Sequence, residues 1–345
     1  MQNEKFISPF IEFIENNFKA NEHLFIIIGG LSEEKHPIEK KENIVIFDSI
    51  LEKTKNIFKL SQLLKPYLTE ASHVIIHSLF IGNIVNFFFL NKCYLKKCSW
   101  VIWGGDLYDY QNKNKTLLNK FFIFRKKVII KKMHGLITYV KGDYELAKKW
   151  YGAKGKYYEC IIYPSNIYNK YPVEESKHDT INIQIGNSAD QTNNHLEVFS
   201  KLDLYKNENI RLIVPLSYGD QDYAKKIIEI GKEQFGDKFV PLTNFMPFTE
   251  YLKLLSEVDI AIFNHNRQQA MGNIITLIGL GKKVYMKSTI TPWQMLKEKE
   301  IIVYDVDDFN LKKINDAEKE KNINHVKRYF SPENLKNQLN SIFEG

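Results

Sequence analysis

Cysteine is scarce in this chain: Cys93, Cys98 and Cys160 are the only three in 345 residues. An odd set without CxxC spacing makes neither a disulfide framework nor a zinc knuckle, and it predicts a reduced cytosol rather than secretion. Glycine fills 17 positions and proline 10, while 44% of residues are hydrophobic and 26% charged. Those proportions exclude collagenous, disulfide-scaffold and extended disordered chains. Neither GxGxxG nor GxxxxGK[ST] occurs, which removes the standard dinucleotide and P-loop fingerprints. Long apolar runs are missing too. The longest, Leu79 to Leu90, has 12 residues and is broken by Gly82, Asn83 and Asn86, whereas a bilayer-spanning helix needs about 20. The opening residues carry Glu4, Glu12 and Glu15 among apolar neighbours, so no secretory signal is expected. Phe10, Ile11, Ile14 and Phe18 fall at helical spacing and predict an amphipathic first helix.

One further absence is local. Between Gln111 and Met133 there is no acidic residue but eight basic ones: Lys113, Lys115, Lys120, Arg125, Lys126, Lys127, Lys131 and Lys132. The whole chain carries a net charge of +7, so the remainder is close to neutral and any anionic partner concerns this segment alone. The text LLNKFFIFRKKVIIKK alternates cations with bulky apolar residues. On a helix it makes an apolar stripe edged with charge, suited to an anionic membrane surface met by Lys120, Arg125, Lys126, Lys127, Lys131 and Lys132. An ordinary domain helix with a lysine-rich outer face is the plainer alternative. No nucleic-acid motif accompanies the patch, and no nucleic-acid partner is expected.

What is present is alternation. Short β-rich runs at Leu24–Ile28, Asn43–Phe47, Val74–His77, Ser99–Trp103, Gly135–Val140 and Tyr157–Ile162 are separated by helical patterns near 56–69, 81–91, 112–132 and 142–151. Runs such as FIII and HVIIH are apolar throughout, as in strands covered on both faces of a parallel sheet. From Tyr163 the text turns polar and loses its period. The pattern then restarts with strands at Ile181–Ile185, Ile210–Pro215, Phe239–Leu242, Ile260–Phe263, Lys283–Met286 and Ile302–Tyr304. Helices fall between them near 195–204, 221–235, 249–256 and 271–279. The expected organisation is an α/β protein of two domains, 1–165 and 181–330, with a linker at 166–180 and a C-terminal helix in 331–345 packing back toward the first domain. In doubly wound domains, ligands bind outside the carboxyl ends of the strands.

Three such ends carry unusual residues. Ile185 runs into Gly186, Asn187, Ser188, Ala189 and Asp190, then Asn193, Asn194 and His195 open a helix. Backbone N–H groups beside a glycine, with a helix N-terminus, receive phosphates; an ordinary turn with an N-cap has the same composition. Phe263 is followed by Asn264, His265, Asn266, Arg267, Gln268, Gln269, Ala270, Met271, Gly272 and Asn273. Long polar side chains are unusual in a structural βα loop, and Arg267 suits bidentate pairing with a diphosphate. Trp103, Gly104, Gly105, Asp106, Leu107 and Tyr108 leave another strand. Aromatics beside a carboxylate make a saccharide platform, and Asp106 is a candidate general base. A capped turn is the alternative there.

Weaker candidates surround these. His73 and His77 bracket an apolar run without a third ligand nearby, so no metal site is expected. Asp305, Asp307 and Asp308 lie late in the chain and read as a solvated loop.

The blocks His77–Phe80, WVIWGGDLY, GNSADQTNNH and FNHNRQQAMGNI, in this order and spacing, resemble the TDP-N-acetylfucosamine:lipid II N-acetylfucosaminyltransferases, the 4-α-L-fucosyltransferase family known as glycosyltransferase family 56. The likeness spans about residues 70–305; earlier residues match only in general pattern. It implies a GT-B enzyme: two Rossmann-like domains with parallel sheets facing a central cleft, metal-independent, with no cofactor. A dTDP-sugar donor and a polyprenyl-diphosphate-linked saccharide acceptor are implied, at the cytoplasmic face of the inner membrane, in enterobacterial common antigen assembly. Gly186, Asn187, Ser188, Asn193, Asn194 and His195 would then line the donor diphosphate. Asn264, His265, Arg267, Gln268, Gln269, Gly272 and Asn273 would hold the nucleotide-sugar. Asp106 or His77 would serve as base, with Trp103, Gly104, Gly105 and Tyr108 on the acceptor. Another donor or acceptor on the same fold, a nicotinamide-dependent oxidoreductase and a non-catalytic membrane scaffold are the alternatives.

Overall fold

The computed structural model describes residues 1, 4–28, 38–47, 57–111, 116–169 and 178–344. Lys113, Lys115 and residues 170–177 of the expected linker lie outside them. The chain divides into two compact units, Met1–Ile167 with Pro332–Gly345, and Tyr168–Ser331.

In the first unit, helix α1 (Ile7–Asn17) buries Ile7, Phe10, Ile11 and Ile14. Strands β1 (Phe25–Ile28) and β2 (Ile44–Phe47) pair in parallel. After α2 (Ile57–Glu70) come β3 (Val74–His77), α3 (Gly82–Leu90), β4 (Cys98–Val101), the single turn α4 (Gly105–Tyr108), α5 (Leu117–Ile130), β5 (Gly135–Ile137), α6 (Lys141–Tyr151) and β6 (Lys156–Tyr158). Strands β3, β4, β5 and β6 form a parallel sheet in sequence order. Four strands in a row with no reversal are what successive βαβ crossovers give. Every residue of β4 is buried, in keeping with its apolar text. That strand stops at Val101 rather than Trp103, because Gly104 takes φ +85° to turn the chain into α4. Only glycine holds that conformation without strain. The last helix of the chain, Pro332–Phe343, belongs to this unit; its Gln338 side chain accepts from the Ile161 N–H at 2.9 Å, and Phe343 packs on Phe18.

The second unit holds β7 (Ile181–Ile185), α7 (His195–Leu202), β8 (Ile210–Pro215), α8 (Gln221–Phe235), β9 (Phe239–Leu242), α9 (Phe248–Glu257), β10 (Ile260–Phe263), α10 (Met271–Gly279), β11 (Lys283–Met286), α11 (Thr291–Glu298), β12 (Tyr304–Asp305) and α12 (Asp316–Tyr329). Its parallel sheet has the order β12-β11-β10-β7-β8-β9. The first strand therefore lies inside the sheet, and the chain winds outward from it in both directions. Between β7 and β10 the winding reverses. Outside the carboxyl ends of two such strands the following loops part and leave a crevice. The register pairs Ile185 with Ile262, so the two polar loops read from the sequence emerge side by side at that point.

Candidate functional site

The loop after β7 is built around a glycine and an asparagine. Gly186 adopts φ +66°, and a Cβ there would lie 2.5 Å from Asn193 Oδ1 and 3.1 Å from His195 Nε2. Asn193 is fully buried. Its Oδ1 accepts from the Asn187 N–H at 3.0 Å, and its Nδ2 donates to the Ser188 carbonyl at 3.1 Å, Ser188 Oγ at 3.2 Å and the Asp190 carbonyl at 3.0 Å. One side chain thus braces the loop from the end of the 3₁₀ turn Gln191–Asn193. Asn194 and Ala270, the residues preceding α7 and α10, both have left-handed backbones, at φ 52° and 57°. Non-glycine residues in that region cost about 1 kcal/mol or more and concentrate where function needs them.

The β10 loop locks onto the first. His265 Nε2 lies 2.9 Å from Asn193 Oδ1, and Asn194 Nδ2 donates to the Asn264 carbonyl at 2.6 Å. The Thr192 hydroxyl sits 2.7 Å from Gln269 Oε1. Asn193 Oδ1 already accepts a backbone N–H and has no proton to give, so His265 donates through Nε2–H and keeps its lone pair on Nδ1. Burial holds both histidines neutral: His195 is pushed down to about 4, and His265, with Arg267 adding to burial, to about 3. Both amide atoms of Asn264, His265 Nδ1, His195 Nε2 and Gln268 Oε1 are buried without a protein partner. Native interiors seldom leave so many polar atoms together unmatched.

Neutral histidines make the fold acid-sensitive. Unfolded histidine titrates near 6.5, so between pH 6.5 and about 4 the unfolded chain binds protons that the folded one refuses. Stability is whole above that window and falls as pH drops through it, by about 2 kcal/mol per histidine at pH 5. Unfolding free energies from urea melts at pH 7 and pH 5 are expected to show this fall, and to show less of it in His265→Asn. A wild-type fall no larger than the variant's would contradict a neutral His265.

Burial sorts the residues singled out in the sequence. Asn193, His195, Asn264 and His265 are at most 1% exposed and hold the two loops from beneath. Asn187, Ser188 and Gln268 are buried as well. The half-buried positions are Asn194, Arg267, Gln269, Gly272 and Asn273. Arg267 donates to the Gln268 carbonyl at 2.9 Å. Burial would raise the Asp190 carboxyl, but the Thr192 hydrogen bonds and the Arg267 charge hold it below its usual range. An open depression of about 540 Å³ that Asn194 also lines carries Glu197, Asp220 and Asp222 against the single cation of Lys226, a net charge of the wrong sign for a diphosphate. Asp190 and Thr192 were missed by sequence reasoning, as were Tyr218, whose hydroxyl accepts from Asn187 Nδ2 at 2.6 Å, and Tyr223, whose hydroxyl lies 3.2 Å from His195 Nδ1. Asp190 and Thr192 stand inside the quoted block, but no spacing rule separates them from turn residues.

In the first unit, Asp106 is not placed as a base. It is fully buried; Oδ2 accepts from the Leu79 N–H at 2.9 Å and Trp100 Nε1 at 2.8 Å, and Oδ1 from the Trp103 N–H at 2.9 Å. Burial raises its pKa against the pull of Lys126 and these donors. Its carboxylate ties the turns after β3 and β4 together. Tyr108 turns toward α6, donating to Asp143 at 3.2 Å and packing edge-on to Trp150. That contact anchors α6. His77 Nδ1 lies 2.6 Å from the Tyr163 hydroxyl, which also accepts from Trp103 Nε1 at 2.7 Å. Burial, then the nearby amino terminus, hold His77 neutral. Gly105 lies beneath the half-exposed Phe80 ring, whose Cζ would be 3.0 Å from an added Cβ. Tyr163 and Phe80 join this aromatic cluster; Tyr163 was hidden because it opens the stretch where the text turns polar.

The basic helix is the largest revision. Lys126 is fully buried, its Nζ donating to the Asp106 carbonyl and to Asp109 Oδ2 at 2.8 Å. Arg125 is half-buried and donates to Asn86 of α3 at 2.5 Å. Lys127, also half-buried, stands over the Tyr110 ring. Lys120, Lys131 and Lys132 remain exposed.

Solved structures of similar shape carry glycosyltransferase names. A glycosyltransferase from Rickettsia africae is 13% identical, with 100% of this chain and 96% of that one covered at a TM-score of 0.69. The Anabaena protein HepE, solved with UDP and glucose, is 11% identical over 99% of this chain and 97% of its own, at 0.67. Sucrose-phosphate synthase from Thermosynechococcus elongatus is 12% identical over 92% and 88%, at 0.64. Such low identities establish the fold, which is GT-B. Residues 43–343 match the 4-alpha-L-fucosyltransferases, glycosyl transferase group 56, and the chain belongs to that family of glycosyltransferases.

Proposed function

We propose that this enzyme transfers a deoxyamino sugar of the 4-acetamido-4,6-dideoxy-galactose type from a dTDP-sugar to a polyprenyl-diphosphate-linked saccharide. The setting we infer is assembly of a bacterial surface polysaccharide of the enterobacterial common antigen kind, at the cytoplasmic face of the inner membrane. The observation that carries the reading is the convergence of the β7 and β10 loops where the strand order reverses, interlocked through Asn193 and His265. Gly186 lets Asn193 and His195 pack against the β7 loop, and the N-terminus of α10 with Arg267 favours a diphosphate. As the glycosidic bond to the donor phosphate breaks, the same groups stabilise the charge on the leaving dTDP without calling on a metal. With Asp106 committed to its turn, His77 is the group we assign to the acceptor hydroxyl's proton if transfer inverts. It is buried with Nδ1 on the Tyr163 hydroxyl, so the assignment requires the ring to be reached from its Nε2 side.

Thermal unfolding with added nucleotides tests the donor assignment. Near a hundred times its dissociation constant, dTDP is expected to add about 2.7 kcal/mol of stability, and NAD none. Stabilisation by NAD, or by no nucleoside diphosphate at all, would overturn it.

A further inference from the structure

The outward face of α5 is apolar, as in the apolar stripe read from the sequence. Leu117 is 83% exposed, Leu118 80%, Phe121 58% and Phe124 52%, and Leu90 at the end of α3 is 64% exposed. Positions 117, 118, 121 and 124 lie on one side of a helix. The inward side of α5 holds Ile123, Lys126, Ile129 and Ile130. Phe121 and Phe124 have ring centroids 6.1 Å apart, and Phe89 of α3 stands 6.3 Å from Phe124, so the two helices share one apolar ridge. Monomeric soluble proteins rarely leave leucine and phenylalanine grouped this way without a partner.

Charge identifies that partner. Lys120, Lys131 and Lys132 are exposed on or just past α5, and Lys92 stands over the Phe89 ring at 4.7 Å. No acidic residue occurs from Gln111 to Met133. A second copy meeting this ridge face to face would set the same lysines against one another. An anionic bilayer offers hydrocarbon to the ridge and phosphate to the lysines, the two demands the surface makes together. We propose that Leu117, Leu118, Phe121, Phe124 and Leu90 insert into the headgroup boundary of an anionic membrane, with Lys92, Lys120, Lys131 and Lys132 as a cationic collar. Insertion rather than charge alone holds the protein there, since Lys126 and Arg125 are committed to the fold. The inference extends the reading that the acceptor is lipid-linked, but its readout is partition to lipid and needs no transfer.

Co-sedimentation of the full chain with phosphatidylcholine vesicles, with and without phosphatidylglycerol, tests it. Wild-type protein is expected to pellet with the anionic vesicles. Each ridge residue changed to serine should lower partition about tenfold, the scale of removing one large buried apolar side chain. The pair Leu117→Ser with Leu118→Ser should therefore abolish pelleting while the thermal midpoint and the dTDP-induced shift stay at wild-type values. Lys120→Gln, Lys131→Gln and Lys132→Gln together should remove the preference for phosphatidylglycerol but leave residual binding. Wild-type protein that does not pellet, or a serine pair that pellets like wild type, would overturn the proposal. So would a wild-type dimer in light scattering that the serine pair converts to a monomer, since the ridge would then face a second copy. A transfer assay that fails while ridge-dependent pelleting persists would count against the acceptor reading alone.

Discussion

Asn193→Asp is expected to lower sugar transfer at least about a hundredfold, a loss near 3 kcal/mol in transition-state stabilisation. The change is nearly isosteric, so size plays little part. Asn193 Oδ1 accepts from the Asn187 N–H and from His265, and an aspartate oxygen does the same. The other amide atom is the sensitive one. Nδ2 donates to the Ser188 and Asp190 carbonyls, and a carboxylate oxygen there meets two acceptors with no proton to share. Breaking buried hydrogen bonds of this kind costs about 1–3 kcal/mol, and more when a charge is left behind. The loop over Gly186 must then rearrange, and a negative charge lies under the place proposed for the diphosphate. The kinetic constants and the dTDP-induced thermal shift both report on this. Transfer and nucleotide stabilisation unchanged from wild type would contradict the role given to Asn193.

The second large effect falls on stability. Asp106→Asn is expected to lower unfolding free energy by about 3 kcal/mol, while transfer per folded molecule stays within about tenfold of wild type. Both carboxylate oxygens receive N–H groups, two from Leu79 and Trp100 on one side and one from Trp103 on the other. Whichever way the amide turns, its NH₂ faces a donor that has lost its acceptor. The buried Lys126 also loses a neighbouring negative charge and is left with Asp109. Urea titration beside single-turnover kinetics separates the two possibilities. A fully stable Asp106→Asn that has lost a thousandfold or more in rate would make Asp106 the base after all.

Legibility in the sequence followed what each pattern encodes. Ile181–Ile185, Ile210–Pro215, Phe239–Leu242, Ile260–Phe263 and Lys283–Met286 stand in the structure at the residues read from the text, because apolar runs closed by turn residues leave little choice of boundary. Ser99–Trp103 and Gly135–Val140 came out too long at their ends. Val101 and Ile137 close those strands, although the text stays apolar for several residues more, and an apolar side chain marks burial rather than sheet pairing. The two interlocked loops of the second unit were visible as Asn- and His-rich text, but not that Asn193 lies at the centre while Asn194 lies nearer the surface. Neighbouring asparagines look alike until a left-handed backbone at Asn194 sends them in different directions.

Lys126 shows a sharper limit. Helical spacing names the residues that share a face, but nothing in LLNKFFIFRKKVIIKK says which face turns inward. The Asp106 carbonyl and Asp109 draw a lysine into the interior, while Phe121 and Phe124 go outward. Asp106 itself read as a base because a lone carboxylate beside aromatics looks the same whether it meets a substrate or closes a turn. The deciding partners, Leu79 and Trp100, belong to other elements.

Mass spectrometry of a polyprenyl-diphosphate-linked saccharide incubated with the enzyme and a panel of nucleotide-sugars bears most directly on the proposed reaction. The acceptor is expected to gain the mass of one acetamido-dideoxyhexose from the dTDP-linked donor, with dTDP released in equal amount and the yield sharply reduced in Asn193→Asp. An acceptor left unchanged by every dTDP-sugar, while another nucleotide-sugar is transferred or none is, would contradict it.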